Sequence, residues 1–199
     1  AILRGEDIPP IPEDVPMSVE ARQALTAPLN YNVDIAVLRA RDFGVPQTRE
    51  RIYIVGFHRD KVPAAKQKEL VEEMFNRIKA RDHPINHLKS ALENDPEKTR
   101  PYTISDRLWA GHQRRKAGHI TNGYGFGYSL FNDKSEYCNT ISARYYKDGS
   151  EILIAQPGSN PRKLTPREAA NIQGFPINFR IDAVSDTQAY RQFGNSVAI

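Results

Sequence analysis

Cysteine is nearly absent: Cys138 is the single thiol in 199 residues. One thiol excludes an internal disulfide framework and suits a reducing compartment. No apolar run approaches the about 20 residues that a membrane helix requires, and no basic segment followed by an apolar one marks a signal peptide. A cytoplasmic setting with no membrane partner is the expectation. Internal repeats and low-complexity segments are also lacking. The five histidines (His58, His83, His87, His112 and His119) do not have the spacing of a metal site. His83 and His87 stand four apart, but Pro84 argues against a helical pair, so no metal is expected. Cys138, between Tyr137 and Asn139, has no neighbouring base or glycine elbow and reads as a passive side chain.

What is present describes a globular chain. Hydrophobic residues make up 39% and charged residues 26%, which does not suit disorder. The length suits one domain, or a domain with a smaller companion, and such a chain can bury about 70% of its unfolded surface. Lys and Arg number 28 against 24 Asp and Glu, a net charge of +4 that permits a nucleic-acid partner without requiring one. The sequence opens at Ala1, passes through a stretch holding Pro9, Pro10, Pro12 and Pro16, and stops on Val197-Ala198-Ile199. A fragment cut at both ends is the expectation.

Residues 1–30 read as a loop or insertion, with a short helix over Ser18–Leu25. Tyr31–Leu38 predicts a strand and Phe43–Gln47 a turn. Arg51–Phe57 is a continuous β-prone run, the pattern of a strand buried on both faces. Pro63 can open a helix whose Leu70, Val71, Met74, Phe75 and Ile78 share one face packed on a core. Residues 81–100 read as loop. Ser105–Lys116 predicts a helix ending in Arg114, Arg115 and Lys116. Gly123–Tyr128 alternates glycine with aromatics, a sign of closely approached backbone. Thr140–Tyr146 and Glu151–Ala155 predict two strands of a hairpin around Lys147-Asp148-Gly149-Ser150. Thr165, Pro166 and Glu168 carry the logic of a helix start: a cap, a first-turn proline and a closing acid. That helix should run to about Gln173 and stop at Gly174. Gln192–Val197 reads as a tight turn feeding a further helix.

Singly, the candidate functional residues are ambiguous. Arg49 and Arg51 stand two apart at the start of a strand, so they can share a face. They need an anionic or carbonyl-rich partner, or pair with Glu50 or a distant acid. Arg144 and Lys147 with Tyr145 and Tyr146 combine charge and stacking surface, as nucleic-acid readers do, or simply solvate a hairpin.

In combination they resemble a family. Phe43-Gly44-Val45-Pro46-Gln47-Thr48-Arg49-Glu50-Arg51 followed by Ile52–Phe57 resembles the Gln-x-Arg-x-Arg motif of DNA (cytosine-5) methyltransferases. Arg162–Pro176, with Leu164-Thr165-Pro166-Arg167-Glu168, resembles their penultimate motif, and Gln192-Phe193-Gly194-Asn195-Ser196-Val197 their last. Gly123–Tyr128 and Asn139–Ile154 look like the target-recognition domain of the Dcm-type branch, with Thr140-Ile141 at its Thr-Leu pair. The resemblance spans residue 31 to the end.

It implies an α/β fold: late strands of an S-adenosyl-L-methionine-dependent methyltransferase sheet plus a small, mixed, largely irregular recognition domain. The implied divisions are 1–60 in the catalytic domain (1–30 loop or insertion), 61–160 for recognition, and 161–199 returning to the catalytic domain. The implied reaction moves a methyl group to C5 of a cytosine flipped out of duplex DNA, because that atom is unreachable in the stack. The family's nucleophile sits in a Pro-Cys dipeptide and its acid in Glu-Asn-Val; neither occurs in this sequence. The expectation is thus the C-terminal half of a bacterial enzyme of restriction-modification or solitary type, working with a missing N-terminal half or a partner subunit. Arg51 would hydrogen-bond the cytosine O2 and stabilise developing charge, with Arg49 in support and Gln47 orienting neighbours or contacting backbone. Asn195, Ser196 and Val197 would line the donor pocket. Arg167 would pack recognition against catalytic domain. Arg144 and Lys147 would donate to guanine, Thr140 and Ser142 would position phosphate or backbone, and Arg114, Arg115 and Lys116 would meet phosphates. The Dcm-type likeness implies a short GC-rich target beginning with CC. Two alternatives stand beside it. One is a DNA-reading specificity subunit of a split methyltransferase. The other is an RNA methyltransferase relative, against which the long recognition stretch argues.

Overall fold

The computed structural model describes residues 11–27, 30–80, 86–124 and 127–199. The readings that fall on Pro9, Pro10, His83, Pro84 and the middle of the Gly123–Tyr128 run lie outside the described residues. The chain divides into two compact units, Ala1–Leu38 with Arg51–Asp82, and Arg39–Glu50 with His83–Ile199. The expected divisions at 60/61 and 160/161 follow motif boundaries and not these units.

In the first unit, α1 (Val19–Thr26) starts where Ser18 Oγ accepts the Ala21 amide. Strands β1 (Tyr31–Arg39) and β2 (Glu50–His58) form a two-stranded sheet. Helix α2 (Ala64–Ala80) turns the expected stripe inward: Val71 is buried and Leu70, Met74, Phe75 and Ile78 are half-buried. The expectation for Arg51–Phe57 holds for conformation and fails for burial. Ile52 and Ile54 are 65% and 58% exposed, and Ile35 and Val37 on β1 are 54% and 60% exposed. A strand is buried on both faces only between two layers, and a two-stranded ribbon does not supply them.

The second unit begins with a 3-10 turn, Ala40–Phe43, closed by Gly44 in the left-handed region (φ 82°). Short helices α3 (Leu88–Ala91) and α4 (Pro96–Thr99) follow, the latter capped by Asp95. Helix α5 (Asp106–Thr121) is capped by Ser105 and runs past the expected end at Lys116. A three-stranded sheet has the order β3 (Leu130–Phe131), β4 (Leu153–Gln156), β5 (Ser159–Arg162), with β3 parallel and β5 antiparallel to β4. Helices α6 (Pro166–Asn171) and α7 (Asp186–Asn195) complete it. Leu88, Ile141, Tyr145, Ile152, Leu164 and Ile172 are fully buried in the core, packed with Ala189, Tyr190 and Phe193. The two core tyrosines meet edge to face, 5.3 Å between centroids. Tyr145 Oη donates to Ile152 O (2.6 Å) and accepts the Leu164 amide (2.7 Å). Tyr190 Oη donates to Leu164 O. Burial pushes both phenols well above their ordinary ionisation range.

Two expectations are corrected. Residues 140–146 are not a strand of a hairpin with 151–155. They form successive turns (Tyr145 N to Ser142 O, Lys147 N to Arg144 O, Gly149 N to Tyr145 O), and β4 pairs instead with β3 and β5. Gln192–Val197 is not a turn before a helix. Its first four residues end α7, whose Ala189, Tyr190, Phe193 and Gly194 face the core.

The start of α6 is a closed polar knot. Thr165 Oγ1 accepts the Glu168 amide and Glu168 Oε2 accepts the Thr165 amide, the capping box expected from sequence. The fully buried Glu168 also takes a two-pronged ion pair from Arg162 (2.7 and 2.8 Å) and the Glu93 amide (2.8 Å). Four donors converge on one carboxylate. Removing one member of such a pair strands the other in a dry interior. Glu168→Ala is therefore expected to lower unfolding free energy by about 3–5 kcal/mol, read by denaturant titration, while the paired change Arg162→Met with Glu168→Leu recovers only the ion-pair share, the Thr165 and Glu93 amides still lacking their acceptor. A loss under about 1 kcal/mol in the single variant, the size of a cap alone, refutes the cost of leaving Arg162 unpaired.

Candidate functional site

The geometry centres on residues 46–49, which run alongside residues 138–140. Cys138 N donates to Pro46 O (3.0 Å), and Thr48 N to Cys138 O (2.9 Å). Thr140 Oγ1 donates to Thr48 O. Gln47, fully buried, reaches two ways: its Oε1 accepts the Ile141 amide (2.9 Å) and its Nε2 donates to Ile172 O (2.8 Å). Arg49, 2% exposed, spreads its guanidinium over three carbonyls: Ile141 (3.1 Å), Gly194 (3.0 Å) and Ser196 (2.5 Å). The three motifs singled out in the sequence thus meet at one joint. Gln173 adds a fourth tie, its Nε2 donating to Phe193 O while its own carbonyl accepts the Ile199 amide.

Arg49 is buried in the second unit, whereas Arg51 is exposed on β2 of the first. Strand β2 begins at Glu50, so strand alternation does not extend back to Arg49. Glu50 pairs with Arg39.

At the far end of the joint, Asn195 is exposed, Val197 is 53% exposed, and Ser196 is half-buried with its hydroxyl donating to Phe193 O. An open hollow of about 460 Å³ is lined by Gln188, Arg191, Gln192, Asn195 and Ser196. Gly194 has a steric reason to be glycine inside α7. A Cβ there would strike the backbone of Ser142 and Ala143.

The candidate DNA contacts divide. Arg144 and Lys147 are exposed on the turns after Ser142, and Arg114 is exposed on α5. Arg115 pairs with Asp148 (3.0 Å), whose carbonyl lies 3.2 Å from buried His112 Nε2, so α5 holds the turn that carries Lys147. Burial pushes the Asp148 carboxyl up, but the Ser150 amide and Arg115 together hold it below its ordinary value. Lys116 lies over the Tyr128 ring (4.3 Å). The hydroxyls of Thr140 and Ser142 spend their hydrogens internally, on Thr48 O and on the Glu151 carboxylate. Arg167 donates to Pro176 O and Phe179 O, within its own neighbourhood. Sequence reading missed Gln173, His112 and the close approach at Gly194; a glycine inside the Gln192–Asn195 run was the one signal for the last.

Cys138 is fully buried, its Sγ near Pro46 O (3.4 Å), and burial pushes the thiol up to about 12. Among the described residues no cluster of histidine, cysteine, aspartate and glutamate suits a metal ion, and no helix is long and apolar enough to cross a membrane.

Comparison with known proteins gives a consistent picture. Residues 23–199 match the C-5 cytosine-specific DNA methylase family. The Type II methyltransferase M1.ScrFI of Lactococcus lactis subsp. cremoris is 56% identical over 171 residues, covering 86% of this chain and 41% of that protein. M.SsoII of Shigella sonnei is also 56% identical over 171 residues, covering 86% and 42%. The DNA-cytosine methyltransferase of Escherichia coli K12 is 39% identical over 178 residues, covering 78% and 36%. The chain therefore spans less than half the length of these relatives. Among solved structures, the S. pombe Dnmt2 methyltransferase superposes with a TM-score of 0.62 at 16% identity, covering 85% of this chain and 53% of that one. The Entamoeba histolytica methyltransferase EhMeth gives 0.57 at 20%, covering 85% and 50%. These two support the α/β methyltransferase fold.

Two outcomes follow. The Cys138 thiol should resist alkylation by iodoacetamide at pH 8 in the folded chain and react fully once denatured. The neutral thiol favours the fold, a contribution complete below the ordinary value of 9.0 and lost as pH climbs toward about 12. Fast labelling of the native chain contradicts the burial. Gly194→Ala should push α7 off the 142–143 backbone and cost about 1–3 kcal/mol of stability; an unchanged denaturation midpoint means the approach is not tight.

Proposed function

The chain belongs to the C-5 cytosine-specific DNA methylase family, and from that premise we propose that it is the DNA-reading and donor-site-completing part of a sequence-specific DNA (cytosine-5) methyltransferase. The reaction proposed for the assembled enzyme moves a methyl group from S-adenosyl-L-methionine to C5 of a cytosine flipped out of duplex DNA. The observation that carries this reading is the joint at Gln47 and Arg49. It joins the Gln-x-Arg-x-Arg segment, the segment resembling a recognition domain and the Gly-Asn-Ser end of α7 by hydrogen bonds.

The residues around the hollow fit the donor. Amide side chains at Gln188, Gln192 and Asn195, the Arg191 guanidinium and the Ser196 hydroxyl suit a group bearing a carboxylate and an amine. S-adenosyl-L-methionine supplies an electrophilic methyl when bound. Asn195 and Ser196 would hold and orient it, with Val197 beside them. Arg51 would donate to the cytosine O2, where a fixed guanidinium stabilises charge that develops on the ring. Arg49 supports the site through backbone.

Arg144 and Lys147, exposed on turns braced by Arg115–Asp148, would read guanine O6 and N7 from the major groove. Arg114, with Arg115 beside it, would meet phosphates and add a salt-dependent share of affinity. The internal bonds of Thr140 and Ser142 favour a role in shaping the reading turn over direct contact with phosphate.

The nucleophile and its supporting acid would come from an N-terminal half, whether of the same polypeptide or of a partner subunit. Exposed Ile35 and Val37 on β1, and Ile52 and Ile54 on β2, support such a partner. Apolar residues two apart on an uncovered strand face suit a further layer packed over that face. A bacterial cytoplasm and a restriction-modification or solitary role suit the similarity to Type II enzymes.

The decisive experiment follows transfer of labelled methyl groups to unmethylated mixed-sequence DNA. This chain alone should transfer none, and adding an N-terminal half from a Type II relative should restore transfer. Activity of the chain alone that is lost in Cys138→Ala overturns the proposal. In the assembled enzyme, Arg51→Ala should cut methyl transfer by about tenfold or more with DNA affinity nearly unchanged. Equal loss of both refutes its role. Arg144→Ala should relax sequence choice by roughly 1–3 kcal/mol, and unchanged site preference in base-resolution methylation mapping refutes it.

A further inference from the structure

We infer that Arg49 is a positioning residue that couples the donor end of α7 to the DNA-reading turns, so that a ligand at either end changes affinity at the other. The inference rests on the function proposed above for the two ends; the strut itself is a matter of geometry.

A guanidinium removed from water depends on every acceptor it has, because an under-bonded buried charge is costly. Three acceptors of Arg49 Nη1 and Nη2 belong to two segments far apart in sequence: Ile141 on one side, Gly194 and Ser196 on the other. Moving Ser196 therefore breaks its own bond to the guanidinium or drags the guanidinium along, and dragging it strains the bond to Ile141. Ile141 itself has no slack. Gln47 holds its amide while Arg49 holds its carbonyl, so both polar groups of that one residue are bound by side chains two apart. The second contact between the same segments is steric, the backbone of Ser142 and Ala143 lying where a Cβ of residue 194 would be.

Each end leads directly to a proposed ligand. Asn195 and Ser196 line the hollow of α7. From Ile141 the chain passes through Ser142, whose hydroxyl accepts the Arg144 amide (3.1 Å), into the turns that carry Arg144 and Lys147. These carbonyl acceptors are neutral, so the linkage runs through the planar fork of the guanidinium. A lysine keeps the charge but gathers its donors on one nitrogen and cannot span both segments. Coupling of this kind is reciprocal: the factor by which donor binding changes DNA affinity equals the factor by which DNA changes donor affinity.

The test uses the assembled enzyme, S-adenosylhomocysteine as an unreactive donor mimic, and a fluorescent mixed-sequence duplex. In the wild type, saturating S-adenosylhomocysteine should change the duplex Kd by about fivefold or more, within the range common for coupled sites. In Arg49→Lys that ratio should fall to within about twofold of one, while each ligand alone still binds. A merely structural role would weaken both affinities and keep the ratio; that result, or an undiminished ratio with unchanged affinities, overturns the inference. Wild-type hydrogen exchange needs no variant. S-adenosylhomocysteine should slow amide exchange at residues 141–147 as well as at 188–196, and protection confined to 188–196 overturns the coupling. If the wild type binds neither ligand, the proposed function fails, and the strut is then judged in the ligand-free chain. There the amides of Ile141 and Ser196 should share one denaturant dependence of exchange, as members of one opening unit. Separate dependences overturn the strut as well.

Discussion

A positive charge sealed from water is tolerated only where its surroundings supply acceptors in the right places. At Arg49 those places are backbone carbonyls from two remote stretches of chain. The rest of the second unit is arranged so that they arrive together. The 3-10 turn and Gly44 bring residues 46–49 beside Cys138–Thr140, the ladder there fixes the height of Ile141, and Gln47 locks it. Helix α7 then ends against that segment, closely enough to admit only glycine at 194.

A second polar centre has a different character. At the start of α6, Glu168 gathers Arg162, the amide of its own cap Thr165 and the remote Glu93 amide into a satisfied, buried cluster. It stabilises one corner of the core beside the tyrosine pair. The joint at Arg49 instead links distant parts, and its bonds end on groups next to the exposed hollow and the exposed turns that carry Arg144 and Lys147. One centre holds a corner of the core, and the other relates two surfaces.

The divide between what was legible in the sequence and what was not follows interaction range. The capping box at Thr165 and Glu168, the inward stripe of α2, the stop at Gly174 and the inert Cys138 all rest on local patterns, and the structure bears each of them out. Residues 140–146 look like a strand because β-branched and aromatic residues dominate there. In the fold, the amide and carbonyl of Ile141 are taken by the side chains of Gln47 and Arg49, which no local pattern announces. The same blindness applies to α7: its glycine reads as a turn until a backbone some fifty positions upstream explains it. Strand β2 is misjudged for burial because apolar content reports what a strand needs and not whether a covering layer is among the described residues. Of the candidate site, the residue types and their order were legible. Which arginine turns inward, and which hydroxyls are already engaged, was not.

The joint addresses its targets almost wholly by main chain: the amide and carbonyl of Ile141 and the carbonyls of Ile172, Phe193, Gly194 and Ser196. Such a clamp is indifferent to the side chains that its targets carry. Outward-facing residues after position 143 can be exchanged without refitting the fastening, so long as the backbone keeps its path past Gly194. The exposed turns beyond that point are thus free to vary one residue at a time while the same hinge-pin holds.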